Sequence, residues 1–565
     1  MTETLERTAL ARPDADRIAD AAAVDGLMRC WVRENGLLLP DGDVFELPLH
    51  AAGVTIRAHI VHRSATGHHR FAEVRLAGGA RVAAVTLASL LAMEAASGRG
   101  TQPGAVTDLV GRVADSALRV ANYVGQRSAR PRDPEGTTPF LAAEQALVLG
   151  HPLHPTPKSR SGLSDAEDQR FSPELRGSFP LHWFAADPSV VSGDGPDLLT
   201  CLAPEVPDGM IPVPAHPWQA REVASRPGIR RLLDEGVLVD LGESGEHWYP
   251  TASVRTLYHP HSPVMLKFSL GVAITNSKRE NLRKELRRGL EMDRLLGAGL
   301  AAELAREHPG FGIVRDPAWL TVDVDGDDES GLELDIRANP FGADDSVACV
   351  AGLLAERPDR DGSQLSRIVT ELAAAHGTDT DAVAEQWVGR YFDAMIAPVL
   401  WLYRAYGLGL ESHQQNSVVV LDEHGWPCGG WYRDNQGFYI SEKRVAELER
   451  FLPGVGLAGD NRCDDRVIDE RLGYYIGINN LLGVVGAFGS QGLADEQRLL
   501  AVLGQRLAAF SDLPLARTLA DEPSLRCKAN LLTRVDGLDE LVGPLETQSV
   551  YCTIPNPIAQ AGDRR

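Results

Sequence analysis

The sequence lacks the features that assign proteins to several special classes. Its seven cysteines are odd in number, far apart and absent from any Cys-x-x-Cys pair, which argues against a disulfide framework or a zinc motif. No Gly-x-x-x-x-Gly-Lys-Ser/Thr phosphate loop, internal repeat or low-complexity segment is present. These absences favour a globular protein with reduced, mostly structural thiols.

From the sequence we expect neither a signal peptide nor a membrane span. Residues 1–17 are charged and lack the apolar core of a signal peptide, so we expect a cytoplasmic protein. The longest apolar stretch, 474–489, includes Asn479, Asn480 and four glycines. This composition favours a buried helix over a membrane span.

Positive charge is scarce, because 56 Lys and Arg residues oppose 78 Asp and Glu residues and give a formal net charge of -22. Such a surface repels nucleic acid and anionic lipid, so we expect neither as a partner. An anionic ligand therefore needs a local basic pocket. The length of 565 residues and the 44% hydrophobic content fit two to four folded domains.

Apolar spacing along the chain predicts an α+β protein in three parts. We place a mixed α/β part at 1–135, a strand-rich part at 136–360 and a helix-rich part at 361–565, with a charged boundary at 128–138. The expected helices are 16–30, 81–97, 107–127, one beginning at Thr138-Pro139, 278–296, 363–376, 380–406, 466–488 and 494–510. The expected strands are 54–62, 71–76, 237–241, 253–258, 264–270, 320–324, 332–336, 417–421 and 426–432.

A proline-fixed loop at 150–162 carries the first cluster of candidate binding residues. Three prolines and the flanking glycines restrict its backbone, so Lys158, Ser159 and Arg160 can face a phosphate with little ordering cost. The alternative is a solvated surface turn. Repeated His-Pro steps beside these residues favour a binding site.

Ser253, Arg255 and Thr256 form a second cluster on a predicted strand. In an extended strand Ser253 and Arg255 share one face, so a ligand can meet a hydroxyl and a guanidinium together. Lys267 lies in an apolar run, where its ammonium is expected to meet either a bound anion or an acidic side chain. The helix predicted at 278–296 directly follows a strand, and such a helix start is a natural anion site.

Glu411, Asn416 and Asp434 form a third cluster, on either side of the hairpin predicted at 417–432. Carboxylate and amide oxygens are hard ligands suited to magnesium, which is often shared with substrate phosphates. The His-x-x-Asn, hairpin and Asp order is similar to the metal-binding layout of kinase-like phosphotransferases. Ordinary polar capping at a helix end is the alternative explanation.

Other conspicuous residues carry less functional information. We expect His59, His62, His68 and His69 to be surface residues, because none has a Cys or carboxylate partner at zinc spacing. Trp218 is expected to pack in the core rather than stack on a substrate.

Taken together, the clusters resemble the IucA/IucC family of siderophore synthetases that work independently of nonribosomal peptide synthetases. The matching motifs are His151-Pro-x-His-Pro-x-x-Lys-x-Arg-x-Gly162, Ser253-x-Arg-Thr256, Lys267, Thr275-x-x-x-Arg279, Glu411-x-His-x-x-Asn416 and Arg433-Asp434. The resemblance implies a hand-like architecture with thumb (1–135), fingers (136–360) and a helix-rich, kinase-like palm (361–565). It also implies a homodimer, with ATP between fingers and palm.

The resemblance further implies ATP and Mg2+ as cofactors. The ATP-binding set would be Ser253, Arg255, Thr256, Lys267, Thr275, Lys158, Ser159 and Arg160. Magnesium would be held by Glu411, Asn416 and Asp434. Arg279, His413 and Lys158 would be the catalytic residues, with Thr275 and Arg279 near the substrate carboxylates.

The implied function is adenylation of a carboxylate of a small polycarboxylic acid, citrate or a derivative, followed by condensation with an amine, hydroxylamine or alcohol. AMP and pyrophosphate would be released. A kinase-like phosphotransferase is an alternative, although no Gly-rich loop is visible near the start. A carboxylate-siderophore binding protein is another, although it would not need magnesium ligands. The sequence leaves the acid and the amine open.

Overall fold

The computed structural model describes residues 2–99, 101, 103–274, 277–325, 329–360, 362–538 and 549–562. In its first 130 residues, one helix is followed by three antiparallel strands and then by two more helices. The elements here are α1 (Thr2–Glu34), β1 (Val44–Leu49), β2 (Val54–His62), β3 (Arg70–Leu76), α2 (Ala84–Ala96) and α3 (Pro103–Ala129). The strands form one sheet in the order β1-β2-β3, and alternate residues of β2 are buried, as its period-2 pattern requires. The strands expected at 54–62 and 71–76 are confirmed.

An eight-stranded antiparallel sheet dominates the middle of the chain. Its order is β6-β14-β15-β10-β9-β8-β5-β7, and a smaller sheet has the order β12-β11-β4. The elements are α4 (Pro139–Glu144), β4 (Arg160–Ser161), α5 (Asp165–Phe171), β5 (Phe179–Ala186), β6 (Val191–Asp194), β7 (Ile211–Ala215), α6 (Pro217–Val223), α7 (Pro227–Asp234), β8 (Leu238–Pro250), β9 (Thr256–Tyr258), β10 (Val264–Phe268), β11 (Leu270–Ile274), β12 (Ser277–Arg279), α8 (Arg283–Leu295), α9 (Ala301–Glu307), β13 (Phe311–Ile313), β14 (Ala318–Val322), β15 (Leu334–Ala338), β16 (Val347–Cys349) and α10 (Val350–Leu354).

Two expectations for this region are wrong in detail. The strand expected at 253–258 is reduced to β9, since residues 251–255 form a turn. The helix expected at 278–296 begins only at Arg283, because Lys278 and Arg279 pair with β11 as part of β12. A strand hairpin therefore separates the sheet from the helix start that was expected to bind an anion.

Helices surround three small sheets in the C-terminal part. The elements are α11 (Gln364–His376), α12 (Thr380–Tyr391), α13 (Ala397–Tyr406), β17 (Leu408–Leu410), β18 (Ser417–Leu421), β19 (Pro427–Tyr432), β20 (Phe438–Ser441), α14 (Val445–Glu449), β21 (Arg462–Cys463), α15 (Asp465–Leu472), α16 (Gly483–Ser490), α17 (Glu496–Ala508), α18 (Pro514–Asp521), β22 (Ser524–Ala529), α19 (Asn530–Val535), β23 (Val550–Pro555) and α20 (Pro557–Gly562). The π-helical stretches Phe392–Ile396 and Gly473–Leu482 connect α12 to α13 and α15 to α16. The hairpin expected at 417–432 is confirmed as the antiparallel pair β18–β19.

The hydrophobic cores do not follow chain order. The largest core joins residues from α8 and α9 to the C-terminal helices, while α19 packs into the core of the first sheet. Among the residues that the structure describes, one helix, Asp465–Ser490, is long and apolar enough to cross a membrane, but 72% of its apolar window is buried inside the protein. The burial expected for 474–489 is therefore confirmed.

Burial confirms the expectation for Trp218 and contradicts the one for His68. Trp218 lies in the core of the large sheet, and its indole N–H donates to the Gly162 carbonyl at 3.1 Å. His68 is buried rather than at the surface, because Thr66 provides a polar partner for its ring at 3.1 Å. All seven cysteines are free, as expected.

A buried histidine caps α6 and makes stability depend on pH. His216 Nδ1 accepts the Trp218 amide at 3.1 Å, and its ring contacts Phe171 and Phe179 edge to face. Burial lowers its pKa to about 3, so the folded state resists protonation. The unfolded chain binds the proton first as pH falls below about 6.5, and the stability of the folded state decreases in that window.

We expect His216→Asn to reduce this acid sensitivity. Asparagine keeps a capping oxygen but does not titrate, so the loss of unfolding free energy between pH 7 and pH 5 should shrink by roughly 2 kcal/mol. The substitution also removes ring packing and lowers stability at both pH values. Urea unfolding at the two pH values measures the difference, and an unchanged pH dependence would contradict the assignment.

Candidate active site

The candidate site lies where the large sheet meets the loop 433–437 that follows β19. Lys267 on β10 is buried and forms an ion pair with Asp434 of this loop, whose side chain is 33% exposed. Arg337 on β15 lies 3.5 Å from the same carboxylate. Burial opposes the ionisation of Asp434, but these two cations hold its pKa well below the usual range. Of the two partners that the sequence allowed for Lys267, the structure shows the acidic side chain.

Ser253 and Arg255 lie in a tight turn before β9 rather than on a strand. Val254 between them has φ of 68°, a left-handed conformation that β-branched residues rarely adopt. Ser253 Oγ accepts the Thr256 amide at 3.1 Å and the Thr251 carbonyl accepts the Val254 amide at 2.8 Å, which closes the turn. The expected shared strand face is therefore wrong, because the backbone at Val254 is not extended.

Arg255 connects this turn to two other segments. Its guanidinium donates to the Arg279 carbonyl at 3.0 Å and to Asn281, and it reaches the Gln436 side-chain oxygen at 3.4 Å. Arg279 itself is half-buried at the end of β12. Thr275 lies outside the described residues. Arg255 and Arg279 thus lie on the same side of the sheet end as the loop that carries Asp434.

Glu411 and Asn416 flank a loop that packs against the Asp434 loop. The Glu411 carboxylate accepts a hydrogen bond from the Tyr439 hydroxyl, and burial raises its pKa. A Cβ at Gly437 would lie 2.7 Å from this carboxylate, so the glycine permits the close approach. The side-chain amide of Asn416 donates to the backbone carbonyl of Glu411 at 3.2 Å. The backbone carbonyl of Asn416 accepts the backbone N–H of Arg433 at 3.0 Å.

His413 is the histidine of this loop, and its ring centroid lies 5.6 Å from that of Tyr475. Burial lowers its pKa to about 4, with Asp434 opposing this effect and nearby His151, Arg433 and Arg279 adding to it. At neutral pH the imidazole is therefore uncharged. Such a ring can accept a proton or orient a carboxylate.

Lys158 and Arg160 belong to a separate, buried ion network. Lys158 pairs with Glu174, and Arg160 contacts the same carboxylate through two hydrogen bonds of 2.7 and 2.8 Å. These two cations overcome the effect of burial and lower the pKa of Glu174 to about 2. Ser159 is fully buried. Two of the predicted phosphate ligands in this loop, Lys158 and Arg160, thus have protein carboxylates as partners.

The sequence analysis missed three residues that surround Lys267 and Asp434. Asp335 lies opposite Lys267 in the strand register, and burial, with Asp316 nearby, raises its pKa to about 8. Asn281 donates to the Lys267 carbonyl at 3.1 Å. Asp335 and Arg337 flank Ile336 on a buried strand. A charged residue in an apolar run is the signal that identified Lys267, and the same signal could have identified these two residues.

The chemistry of the third cluster suits magnesium. Within the described ranges, no group of three or more His, Cys, Asp or Glu side chains could hold a metal ion. Magnesium does not need one, because it retains water and is commonly bound by one or two carboxylates together with substrate phosphates. Glu411 and Asp434 are the residues of this cluster that could supply such carboxylates, and the hydrogen bond made by Asn416 Nδ2 leaves its amide oxygen able to act as a third hard ligand.

Comparison with known proteins identifies the family. The model of the IucA/IucC family matches residues 139–355. The chain is 39% identical to a rhizobactin siderophore biosynthesis protein of Rhizobium meliloti (strain 1021), with 94% of each chain covered. It is 34% identical to the spermidine-citrate ligase of Bacillus anthracis, covering 97% of this chain and 98% of that one. Because these two relatives are similar to the chain over nearly its whole length, the chain belongs to the IucA/IucC family.

Solved structures agree with this membership. The ATP-bound aerobactin synthetase of Klebsiella pneumoniae is 27% identical and superposes with a TM-score of 0.84, covering 95% of this chain and 99% of that one. A second family model, described as a ferric iron reductase FhuF-like transporter, matches residues 385–543 in the helix-rich part. The expected family and the mixed α/β architecture are thus confirmed.

Substituting Arg160 tests whether it is a structural residue or a ligand residue. In Arg160→Met, Glu174 retains only Lys158, so we expect the unfolding free energy to fall by about 3–5 kcal/mol. Arg231→Met is the control, since its ion pair with Asp325 is exposed and contributes at most about 1 kcal/mol. Denaturant unfolding measures both. Unchanged stability with a raised KM for ATP would instead make Arg160 a phosphate ligand.

Proposed function

We propose that this family member is an ATP-dependent synthetase that joins a carboxylate of citrate, or of a related polycarboxylic acid, to an amine. The observation that carries the proposal is that Lys267 and Arg255 both contact the 433–437 loop at one sheet end, where the Arg279 carbonyl also accepts a hydrogen bond from Arg255. Two anions, ATP and a polycarboxylate, can come together only where fixed cations offset their repulsion. The named activity of the spermidine-citrate ligase supports the choice of citrate.

The first step would form an acyl adenylate. A carboxylate oxygen attacks the α-phosphorus of ATP, the bond to the bridging oxygen of the β-phosphate breaks, and pyrophosphate leaves. Arg279 would offset the charge between the carboxylate and the α-phosphate, and Lys267 would stabilise the departing pyrophosphate. Ser253 and Thr256, at the turn before β9, would orient the phosphates.

Magnesium would be held by Glu411, Asn416 and Asp434 and would neutralise phosphate charge. We propose these residues because they are hard oxygen ligands within two adjoining loops. Lys267 already pairs with Asp434, so the lysine and the ion would act on the same region of the polyphosphate.

The second step would make the amide. The amine nitrogen attacks the activated carbonyl carbon, the carbon–oxygen bond to AMP breaks, and the nitrogen loses a proton. His413 is uncharged at neutral pH, so it could accept that proton or hold the carboxylate in place. Homodimerisation and the hand-like division remain expectations from the family.

Family membership favours this proposal over a kinase-like phosphotransferase, which would release ADP. A siderophore-binding protein would leave the clustered oxygen ligands of the Asp434 and Glu411 loops without a purpose. Its ligand binding would also be independent of ATP and magnesium.

Product analysis tests the proposal directly. The protein is incubated with ATP, magnesium, a panel of carboxylic acids that includes citrate, and hydroxylamine as a generic amine. We expect pyrophosphate and an acyl hydroxamate to appear together and only with the correct acid. ADP would indicate a phosphotransferase, and ligand binding without nucleotide turnover would indicate a binding protein.

Arg279→Ala should lower the rate of adenylate formation by about 100- to 1000-fold, because it removes charge compensation at the α-phosphate. Pyrophosphate release with citrate measures the effect. Lys278→Ala is a matched control, since Lys278 is the preceding residue of β12 and is exposed. Near-normal turnover in the Arg279 variant would remove this residue from the mechanism.

Asp434→Asn should raise the magnesium concentration needed for half-maximal activity and lower kcat, because an amide is a poorer magnesium ligand than a carboxylate. Asp460→Asn is the control, because Asp434 and Asp460 both have a positive φ, of 85° and 51°. Asparagine tolerates that conformation, so neither substitution strains the backbone. Activity titrated against magnesium gives the comparison. An unchanged titration in Asp434→Asn would argue against the ligand assignment.

A further inference from the structure

Glu144, the last residue of α4, connects two segments of the candidate site. Its side chain is completely buried. One carboxylate oxygen accepts the backbone N–H of Ala252 at 2.8 Å. The other lies 2.8 Å from the Arg433 guanidinium in an ion pair. Ala252 immediately precedes Ser253, and Arg433 immediately precedes Asp434.

Both connected segments contain strained backbone. Val254 has φ of 68° and Asp434 has φ of 85°. Non-glycine residues in this region are strained and persist only where the surroundings enforce them. Glu144 contacts a residue one or two positions from each strained residue, so it is placed to enforce both.

Arg433 extends the influence of Glu144 to the third segment of the site. Its Nε donates to the Gln415 carbonyl at 3.0 Å, and its backbone N–H donates to the Asn416 carbonyl at 3.0 Å. Glu144 holds the guanidinium that makes the first of these bonds. The loop with Glu411, His413 and Asn416 is therefore tied to the Asp434 loop through a side chain that Glu144 anchors.

The short helix α4 is a firm base for this anchor. Thr138 caps it by accepting the Leu141 amide at 3.2 Å, and the Thr138 hydroxyl lies 3.3 Å from the Tyr258 hydroxyl. Phe140 stacks on Phe341 with ring centroids 4.5 Å apart. The helix is thus fixed against Tyr258 of the large sheet and against Phe341 just after β15.

We infer that Glu144 is a positioning residue that sets the distance between the Ser253–Arg255 turn and the loops with Asp434 and Asn416. It touches neither substrate nor metal in this scheme. The expected effect of Glu144 on turnover rests on the proposed function, whereas its expected effect on the positions of these segments does not. A small displacement of positioned groups costs large factors in rate, and supporting partners of metal ligands typically contribute 10- to 100-fold.

The main test uses Glu144→Gln, whose amide oxygen can still accept the Ala252 N–H while the ion pair to Arg433 is lost. We expect kcat for pyrophosphate release to fall about 10- to 100-fold, with a higher magnesium requirement and a smaller change in KM for ATP. Glu144→Ala loses both contacts and should also raise KM for ATP. Rates are compared per amount of folded protein.

Glu496→Gln is the matched control. Glu496 is also a buried carboxylate that joins distant segments, through Ser64 and the Thr66 amide, but it contacts none of the candidate site residues. Its substitution should lower stability and leave kcat within about twofold. If Glu144→Gln does not fold, the comparison uses Glu144→Asp, which keeps the charge but is one methylene too short to reach both partners.

Hydrogen exchange provides a readout that is independent of activity. Exchange at the backbone amides of 251–256 and 433–437 should become faster in Glu144→Gln and stay unchanged in Glu496→Gln. If no acid supports turnover in the unmodified protein, the proposed function fails while this comparison still decides the role of Glu144. Unchanged exchange in both loops, or unchanged kcat per folded protein, would overturn the inference.

Discussion

The ion pair between the buried Lys267 and the partly exposed Asp434 is the constraint on which the candidate site depends. Taking two charges out of water is costly, and the pair is tolerable only if its remaining hydrogen-bonding groups are satisfied. Arg337 adds a second cation beside Asp434, and Arg337 is itself fixed by Asp316 at 2.8 Å. The large sheet and the loop after β19 must therefore remain in contact, since separating them would leave several buried charges without partners.

The structure distinguishes two groups of cations that the sequence presents as one basic set. Lys158 and Arg160 face Glu174 and Asp168, which are buried carboxylates of the same region. Their charges are already offset by the protein, so they stabilise the loop 150–162 against α5 and the following segment. Arg255 and Arg279 instead lie at the sheet end, close to Asp434 and His413. The cations that we propose for the anionic substrates belong to this second group.

Periodic segments could be predicted from the sequence, and conformations set by tertiary contacts could not. The strands at 54–62 and 417–432 were found because alternation and turn residues specify them locally. The turn at Ser253–Arg255 was not, because nothing local indicates that a valine takes φ of 68°. Lys267 can be identified from the sequence because it is a charged residue in an apolar run. Glu144 cannot, because a single glutamate at a helix end is common and its partners are known only from the fold. His68 was misplaced because its burial comes from the helix around Gly486, far along the chain.

The acidic surface and the cationic site act over different distances, which explains how a protein with net charge -22 can use anionic substrates. Exposed charges are screened by salt beyond roughly 8 Å at physiological ionic strength. Lys267 and Arg337 are buried, so screening weakens their interactions much less. The distant surface opposes the approach of an anion only weakly, and at close range Lys267 and Arg337 can share their charge between the anion and the protein carboxylates that they already contact, Asp434 and Asp316. The affinity for an anionic ligand therefore depends on where a few groups of the site are held. The carboxylate of Glu144 is itself an anion, but it can favour the binding of another anion because it holds Arg433 and the Ser253 turn in place.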